Sequence, residues 1–420
     1  MTNFTTNTYE MKRKIVKFSE KISDGLEKST KKFVMDMEYG LAKSQSVLLS
    51  EISRTLDEKI KIKNTIERLS DNLNLLSNDE FKIIENNYLK QVKDAFPEEP
   101  VAIFDDSDIA KPYGKKFEDL DRVIDASSPD KKIVNGYHVC EAVILGKNEN
   151  QPISVYSKIY STKSKGFESM NKYTRESIDR VRNILGRKCN MIFDRGYDDN
   201  KIIDLVDSNG DNFVIRMDDK RNFLFKNKKK NCHEMAIKRK GKIKMVLWFD
   251  DNTEKEISVS HTKVTLPYNK KDYELVFVYG LDEEYPMILL TNRNIHSKED
   301  VIKVVRLYFS RWRIEVYFRT KKQEYDFENM RVRSLNAMNN LNLLLTAQMG
   351  HLGLIAEKLD SNLLSIKIIE AAKALRNKVI VWYSQLARGV SEILKYAHNG
   401  VKEFQSIEKR LPYKQLQLKL

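Results

Sequence analysis

The stretch from Tyr308 to Lys322, YFSRWRIEVYFRTKK, constrains the fold more than any other part of this chain. It carries a phenol, a guanidinium, a carboxylate and an ammonium at helical spacing: Tyr308, Arg311, Glu315 and Lys322. At about 100° per residue, these four side chains share one helical stripe about 60° wide. An apolar flank borders the stripe, so the carboxylate needs a counter-charge or a metal ion beside it. The pattern predicts a single continuous helix with a functional face.

A plainer interpretation of this stretch is an amphipathic surface helix. Arg311 and Glu315 stand four residues apart, a common ion-pair spacing that contributes only tenths of a kcal/mol. Spacing alone favours neither interpretation. The choice therefore depends on whether acidic residues occur upstream at the places that a catalytic site would need.

Two short apolar runs upstream each end in an aspartate. The run 101–104 (VAIF) precedes Asp105, and the run 190–193 (NMIF) precedes Asp194. Both runs predict buried strands that deliver a carboxylate at the carboxyl end, where sites in α/β sheets form. Between and after them the sequence predicts further strands and helices, in the order strand, strand, strand, helix, strand, helix, strand.

These residues resemble the motifs of DDE-type transposases from bacterial insertion sequences. The Y-x2-R-x3-E-x6-K signature with its RWRIE core, the D-x-S at Asp105 and the D-R-G-Y at Asp194 carry the resemblance, which covers most of 101–330. It implies an α/β fold, a ribonuclease H-like catalytic core with a β-strand insertion, flanked by N- and C-terminal helical regions. It also implies that Asp105, Asp194 and Glu315 are the catalytic metal ligands.

The resemblance implies two Mg²⁺ ions, which Mn²⁺ can replace, with Asp105 bridging both. Carboxylate oxygens suit such hard cations. It further implies that Tyr308, Arg311 and Lys322 hold DNA phosphates. Arg319, one turn after Glu315, is a further candidate DNA contact. Trp312 either stacks on a base or anchors the helix, and we favour packing.

The implied function is Mg²⁺-dependent cleavage at insertion-sequence ends followed by strand transfer from the 3′-hydroxyl, a cut-and-paste reaction. The implied partners are double-stranded DNA, as terminal inverted repeats and as target, and a second copy of the chain when two ends are synapsed. A nuclease of the same fold without strand transfer is one alternative. A catalytically inactive transposase-derived DNA-binding protein is another.

The domain organisation follows from breaks in these patterns. The proline-rich break at 96–100 ends a helical region, and a β-rich stretch interrupts the path from Asp194 to Glu315. We predict five segments: 1–96, helical, with DNA-end recognition, or else helical packing or dimerisation, as its role; 97–217, first part of the core; 218–285, insertion; 286–335, second part of the core; and 336–420, a basic helical region.

Charge is distributed unevenly along the chain. The net charge is +14, yet the last 120 residues hold 21 Lys and Arg against 10 Asp and Glu. A polyanionic partner along this region explains the excess, although a basic tail that only aids solubility is the plainer interpretation. The stretch 220–244 holds eleven Lys and Arg against Glu234, and we favour a DNA-contacting edge over a flexible solvated loop.

The remaining candidate functional residues are weaker. Asp106 and Asp108 rival Asp105 but are expected to cap loop amides, and His138 is expected to be a core histidine rather than a group near the metal ions. Cys140, Cys189 and Cys232 have no zinc or disulfide spacing and are expected to be reduced. No apolar run reaches about 18 residues and no signal-peptide layout occurs, so we expect a cytoplasmic, nucleoid-associated bacterial protein.

Overall fold

The structure, a computed structural model, describes residues 2–125, 130–148, 151–248, 253–281, 285–374 and 381–405. The chain divides into two compact units. The helical unit comprises Met1–Gln91, Lys321–Ala374 and Tyr383–Leu420, and the sheet unit comprises Val92–Thr320 and Leu375–Trp382. The parts of the predicted C-terminal helical region at 375–380 and 406–420 lie outside the described residues.

The helices of the described residues are α1 (Thr2–Ile22), α2 (Lys28–Ser44), α3 (Leu49–Leu56), α4 (Ile62–Leu75), α5 (Asn78–Val92), α6 (Met170–Leu185), α7 (Asn200–Ser208), α8 (Cys232–Ile237), α9 (Lys298–Phe309), α10 (Trp312–Glu324), α11 (Leu335–Ala356), α12 (Leu363–Ala371), α13 (Tyr383–Leu394) and α14 (Lys402–Gln405). The strands are β1 (Val101–Ala110), β2 (Asp121–Ile124), β3 (Ile133–Leu145), β4 (Pro152–Tyr160), β5 (Asn190–Phe193), β6 (Asn212–Arg216), β7 (Asn222–Phe225), β8 (Lys228–Asn231), β9 (Ile243–Trp248), β10 (Glu254–Thr265), β11 (Asp272–Tyr279) and β12 (Met287–Thr291). None of these helices is both long and apolar enough to cross a membrane.

The helical unit is built around α11. This helix contains no Asp, Glu, Lys or Arg and is buried along nearly its whole length, as expected for a helix that other helices surround. Helices α2, α4 and α13 pack against it. The side-chain oxygen of Ser334 accepts a hydrogen bond from the Ala337 N–H and so caps its first turn.

A buried carboxyl group in α2 makes the stability of the helical unit depend on pH. Glu38 is fully buried, and neither carboxyl oxygen has a hydrogen-bond partner among the residues that the structure describes. Burial raises its pKa well above the ordinary value, because the charged form is poorly solvated. A raised folded pKa means that the stability contribution is fully present below the unfolded pKa and is lost as the pH rises towards the folded pKa.

We therefore expect Glu38→Gln to raise the free energy of unfolding at pH 8 by at least about 1.4 kcal/mol, the equivalent of one pKa unit. The gain should shrink as the pH falls towards 4, because the wild-type carboxyl group is then neutral in both states. Urea unfolding at several pH values measures it. Glu67→Gln, at an exposed position of α4, is the matched control and should show little change. Equal effects of the two substitutions would contradict the assignment.

The sheet unit contains a twelve-stranded mixed sheet. Its strand order is β2-β3-β1-β5-β6-β12-β11-β10-β7-β8, with β4 on β3 and β9 on β10. Strands β1, β5 and β6 are parallel, and their neighbours β3 and β12 run antiparallel to them. Every residue of β5 is buried, as expected for a parallel strand covered on both faces. Helices α6, α7 and α9 pack on this sheet.

The structure corrects one expectation about the sheet and excludes one alternative. Strand β1 does not end before Asp105 but continues to Ala110, because β3 pairs with it as far as Gly136. Asp106 and Asp108 consequently lie in the strand and not in a capping loop. The basic stretch at 220–244 is also not a flexible loop: it forms β7, β8, α8 and the start of β9. The expected insertion strands are present as β9, β10 and β11, and all three cysteines are free and buried.

Candidate active site

Three parallel strands deliver charged residues to one edge of the sheet. In the pairing of β1 with β5, Phe104 lies opposite Phe193, and in the pairing of β5 with β6, Phe193 lies opposite Ile215. The residues that follow these three are Asp105, Asp194 and Arg216. Because neighbouring strands lie about 4.8 Å apart, this register places the two carboxylates side by side.

The two phenylalanines beneath the acids fix this register. The Phe104 and Phe193 rings stack with centroids 4.6 Å apart, and both side chains are buried. We expect Phe193→Leu to lower the free energy of unfolding by about 1–2 kcal/mol, because the ring contact is lost and a small void remains. Urea denaturation measures the change, and an unchanged midpoint would show that the stack does not hold the strands together.

The sequence predicted one continuous helix for the signature stretch, Tyr308 to Lys322, but the structure contains two helices there. Helix α9 ends at Phe309 and α10 begins at Trp312. Between them the backbone tightens into shorter turns, since the Arg311 N–H donates to the Tyr308 carbonyl and the Arg313 N–H to the Ser310 carbonyl. Tyr308 thus belongs to α9, Arg311 to the turn, and Glu315 to α10, so the helical stripe is interrupted.

Arg311 links two of the three predicted acids. Its Nη1 donates to Asp105 Oδ2 at 3.0 Å, and its Nη2 donates to Glu315 Oε1 at 2.5 Å. The third acid is held separately: the Tyr308 hydroxyl donates to Asp194 Oδ1 at 3.0 Å. The Arg311 and Asp105 side chains are each 18% exposed, whereas Glu315 is 49% exposed. Sequence spacing predicted the proximity of these groups, but not that the guanidinium lies between two of the acids.

The two aspartates have pKa values on opposite sides of their ordinary value. Burial raises the pKa of Asp105 to about 7; Arg311 opposes the rise, and the negative charges of Asp194 and Asp106 add to it. Burial also opposes ionisation of Asp194, but Arg311, the Arg195 N–H and the Tyr308 hydroxyl outweigh it, so its pKa is lowered. Asp194 is therefore ionised at neutral pH, whereas a nearby cation would favour the ionised form of Asp105.

The donor set suits a hard divalent cation, but the three acids are not assembled as one set of ligands. Among the described residues, no three His, Cys, Asp or Glu side chains converge closely enough to hold a metal ion. Arg311 accounts for this, because its guanidinium supplies the positive charge between Asp105 and Glu315. If the Arg311 guanidinium moves away, the carboxylate oxygens of Asp105 and Asp194 are suitable ligands for Mg²⁺ or Mn²⁺, whose positive charge would balance theirs.

Asp106 and Asp108 take part in a different cluster. Burial raises the pKa of Asp106 to about 6, and the Cys140 and Tyr197 side chains partly offset that rise. Asp108 Oδ1 lies 2.9 Å from His138 Nδ1, and this hydrogen bond raises the pKa of His138. His138 therefore contacts Asp108 rather than the three candidate ligands.

The remaining predicted DNA contacts lie along α10. Trp312 is partly buried, and the Arg313 guanidinium lies over its ring at 5.2 Å from the centroid. Arg319 is exposed. Lys322 Nζ forms an ion pair with Glu328 Oε1 at 3.1 Å within the helical unit. Their roles as DNA contacts stay predictions.

Arg216 is the charged neighbour of the site that the sequence interpretation missed. It follows Ile215 at the end of β6, and its positive charge helps to lower the pKa of Asp194. It also opposes the rise that burial causes in the pKa of Tyr308. The signal was present in the sequence, since the run 212–215 (NFVI) ends in a charged residue just as the two aspartate strands do. Three such runs predict three adjacent charges when their strands are parallel neighbours.

Comparison with known proteins supports a DDE-type transposase. Residues 161–348 match the family model described as Transposase DDE domain, a range that includes Asp194 and Glu315 but not Asp105. No curated protein matches the chain.

Two solved structures show a distant likeness. A cryo-EM structure of the piggyBac transposase synaptic complex with hairpin DNA has a TM-score of 0.42 at 12% identity, covering 98% of this chain and 84% of that one. The NurA nuclease from Sulfolobus solfataricus has a TM-score of 0.25 at 12% identity, covering 70% and 97%. Both TM-scores are too low to define a shared fold.

Proposed function

We propose that this chain is a DNA transposase that cleaves the ends of an insertion sequence and joins the freed 3′-hydroxyl to target DNA. The observation that carries the proposal is the hydrogen-bonded group at the carboxyl ends of the parallel strands. Arg311 donates to Asp105 and Glu315, and Tyr308 donates to Asp194. The match to a transposase DDE domain over 161–348 supports the same class.

A ribonuclease H-like core is part of the proposal. The strand order β4-β3-β1-β5-β6, with β3 antiparallel to its neighbours and β1, β5 and β6 parallel, supports it. The five predicted segments are kept as the domain organisation, with 218–285 as the insertion. Strands β7 to β11 of this segment extend the sheet beyond β12.

The proposed chemistry assigns a task to each group. Asp105, Asp194 and Glu315 would hold Mg²⁺ or Mn²⁺, which activates a nucleophilic oxygen and stabilises the leaving oxygen when bound. Arg311 balances the acids and presents a planar donor that suits a phosphate. Tyr308 orients Asp194 through its hydroxyl hydrogen bond. Arg319 and Lys322 supply positive charge along α10.

The basic insertion supports DNA binding. Lys228, Lys229 and Lys230 are exposed on β8, at the edge of the sheet. Arg239 is instead held by the fold: its Nη1 donates to the His261 carbonyl at 3.2 Å, and its Nη2 donates to Thr262 Oγ1 at 2.9 Å. The lysines on β8 are thus exposed on an ordered strand, as expected for an edge that contacts phosphate groups.

One experiment separates the proposed function from its rivals. The purified chain is incubated with Mg²⁺, a target plasmid and labelled DNA that contains its own gene with both flanks. A transposase gives cleavage at the element ends and covalent joints to the plasmid, and a dimer should form when two ends are present. Cleavage without joints indicates a nuclease. Binding without cleavage indicates an inactive DNA-binding protein, and either outcome would overturn the proposal.

A further inference from the structure

The helical unit contains a pocket with a strongly positive rim. It has a volume of about 280 Å³ and is lined by Lys14, Lys17, Lys21 and Lys358, and no carboxylate is among its described lining residues. We call it the lysine pocket. Such a concentration of ammonium groups is costly without an anion, because like charges repel at short range.

Three of the lysines form a row along α1, so the positive charge of the rim is elongated. Lys14, Lys17 and Lys21 stand at i, i+3 and i+7, so they follow one face of α1 over about 10 Å. Lys358 stands two residues beyond the end of α11. A row of this length exceeds a single small anion and suits consecutive phosphate groups.

His351, which lines the pocket, has a ring nitrogen that makes no hydrogen bond to the described residues. His351 is 7% exposed and stacks on Phe18 with ring centroids 4.5 Å apart. Its Nδ1 has no hydrogen-bond partner among the described residues. Burial, with Lys14 adding to it, lowers the pKa of His351 to about 3. The imidazole is therefore neutral at physiological pH and adds no further positive charge to the pocket wall.

The pKa of Lys14 is lowered in this pocket. Burial lowers its pKa, Glu10 opposes that change, and Lys358 and Arg13 add to it. Its Nζ donates to Asn362 Oδ1 at 3.2 Å, an amide rather than a carboxylate partner. A bound anion would restore the ordinary pKa and relieve the repulsion.

We propose that the lysine pocket binds consecutive phosphate groups of a DNA strand. The choice of DNA as the source of phosphate rests on the proposed transposase function, whereas the phosphate chemistry rests on the pocket itself. Free polyphosphate shares that chemistry and is distinguished by experiment. The pocket thereby becomes a further phosphate-binding surface, in addition to the candidate active site and the basic edge at β8.

The test compares two pocket variants with a charge-matched control. Lys14→Gln/Lys358→Gln removes ammonium groups from both sides of the pocket, and Lys17→Gln/Lys21→Gln removes two exposed ones without touching a buried contact. Lys59→Gln/Lys82→Gln makes the same charge change at exposed positions of the helical unit away from the pocket. The full-length variants are titrated with a short fluorescein-labelled DNA duplex over a range of salt concentrations.

We expect each pocket variant to lower the slope of log K against log salt by up to about 1.8, at about 0.9 per lost phosphate contact. The control should keep the wild-type slope. Tripolyphosphate should raise the melting temperature of the wild type but not of the pocket variants, and should compete with the duplex. If both pocket variants bind the duplex as the control does, the inference is overturned. Tripolyphosphate binding without any dependence of duplex binding on the pocket would also overturn DNA as the ligand.

The result is separable from the fate of the proposed function. The same titration with Asp105→Asn should show the wild-type slope, because that side chain belongs to the sheet unit and not to the lysine pocket. If element ends are never cleaved yet the pocket variants lose slope, the transposase proposal fails and the pocket stands. If cleavage occurs and the slopes do not change, the pocket inference fails alone.

Discussion

Asp105→Asn is expected to reduce strand cleavage by at least about 10³-fold while DNA affinity stays near the wild-type value. The substitution keeps the shape of the side chain but removes the charge that a divalent cation requires. Losses of this size are common when a group that acts together with others is removed. The same result is expected for Asp194→Asn and Glu315→Gln. Single-turnover cleavage of labelled element ends measures it, with duplex binding measured in parallel.

Asp108→Asn is the matched control for Asp105→Asn. It makes the same chemical change in the same strand, but Asp108 contacts His138 rather than Arg311. Cleavage by this variant should stay within a few-fold of wild type. If Asp105→Asn cleaves normally, or if both variants are equally impaired, Asp105 is not a ligand and the site assignment is wrong.

Arg311→Ala is expected to lower the free energy of unfolding by about 3–5 kcal/mol when divalent cations are removed with EDTA. The guanidinium is the cation that balances Asp105 and Glu315, and Asp105 is mostly buried. Its removal leaves Asp105 without its ion-pair partner beside the ionised Asp194, which keeps Arg216 and the Tyr308 hydroxyl. Mg²⁺ should then restore more stability to the variant than to the wild type, because it replaces the lost charge. Thermal unfolding with and without Mg²⁺ measures both effects.

Arg54→Ala provides the control for that experiment. Arg54 also pairs with a carboxylate, Glu51, but the two side chains are 58% and 45% exposed. Loss of a surface pair costs at most about 1 kcal/mol and should not respond to Mg²⁺. Equal Mg²⁺ responses in the two variants would show that the acids around Arg311 do not form a cation site.

Strand β5 was predictable because it is short, apolar and sharply bounded. The strand predicted at 190–193 agrees with it residue for residue. The position of Asp105 within β1 was not predictable from the same signal. The length of β1 is set by its pairing with β3, a non-local partner, and not by its own apolar run.

The sequence predicted the residues of the proposed site but not their arrangement. Residue spacing predicted that Tyr308, Arg311 and Glu315 share one helical stripe. Arg311 and Glu315 do contact each other, whereas Tyr308 contacts Asp194. The spacing also predicted an unbroken helix, whereas the backbone shortens its turns between Phe309 and Trp312. Such a break leaves no clear mark in composition, since neither Gly nor Pro occurs there. Arg216 was missed because strand order, which makes β6 a neighbour of β5, is a tertiary property.

The most direct test of this account is a structure determined from crystals soaked in Mn²⁺, with anomalous scattering used to locate the metal. The account predicts anomalous density among the carboxylates of Asp105, Asp194 and Glu315, with the Arg311 guanidinium moved away from Asp105. Full Mn²⁺ occupancy elsewhere, with Arg311 still bonded to Asp105 and Glu315, would contradict it.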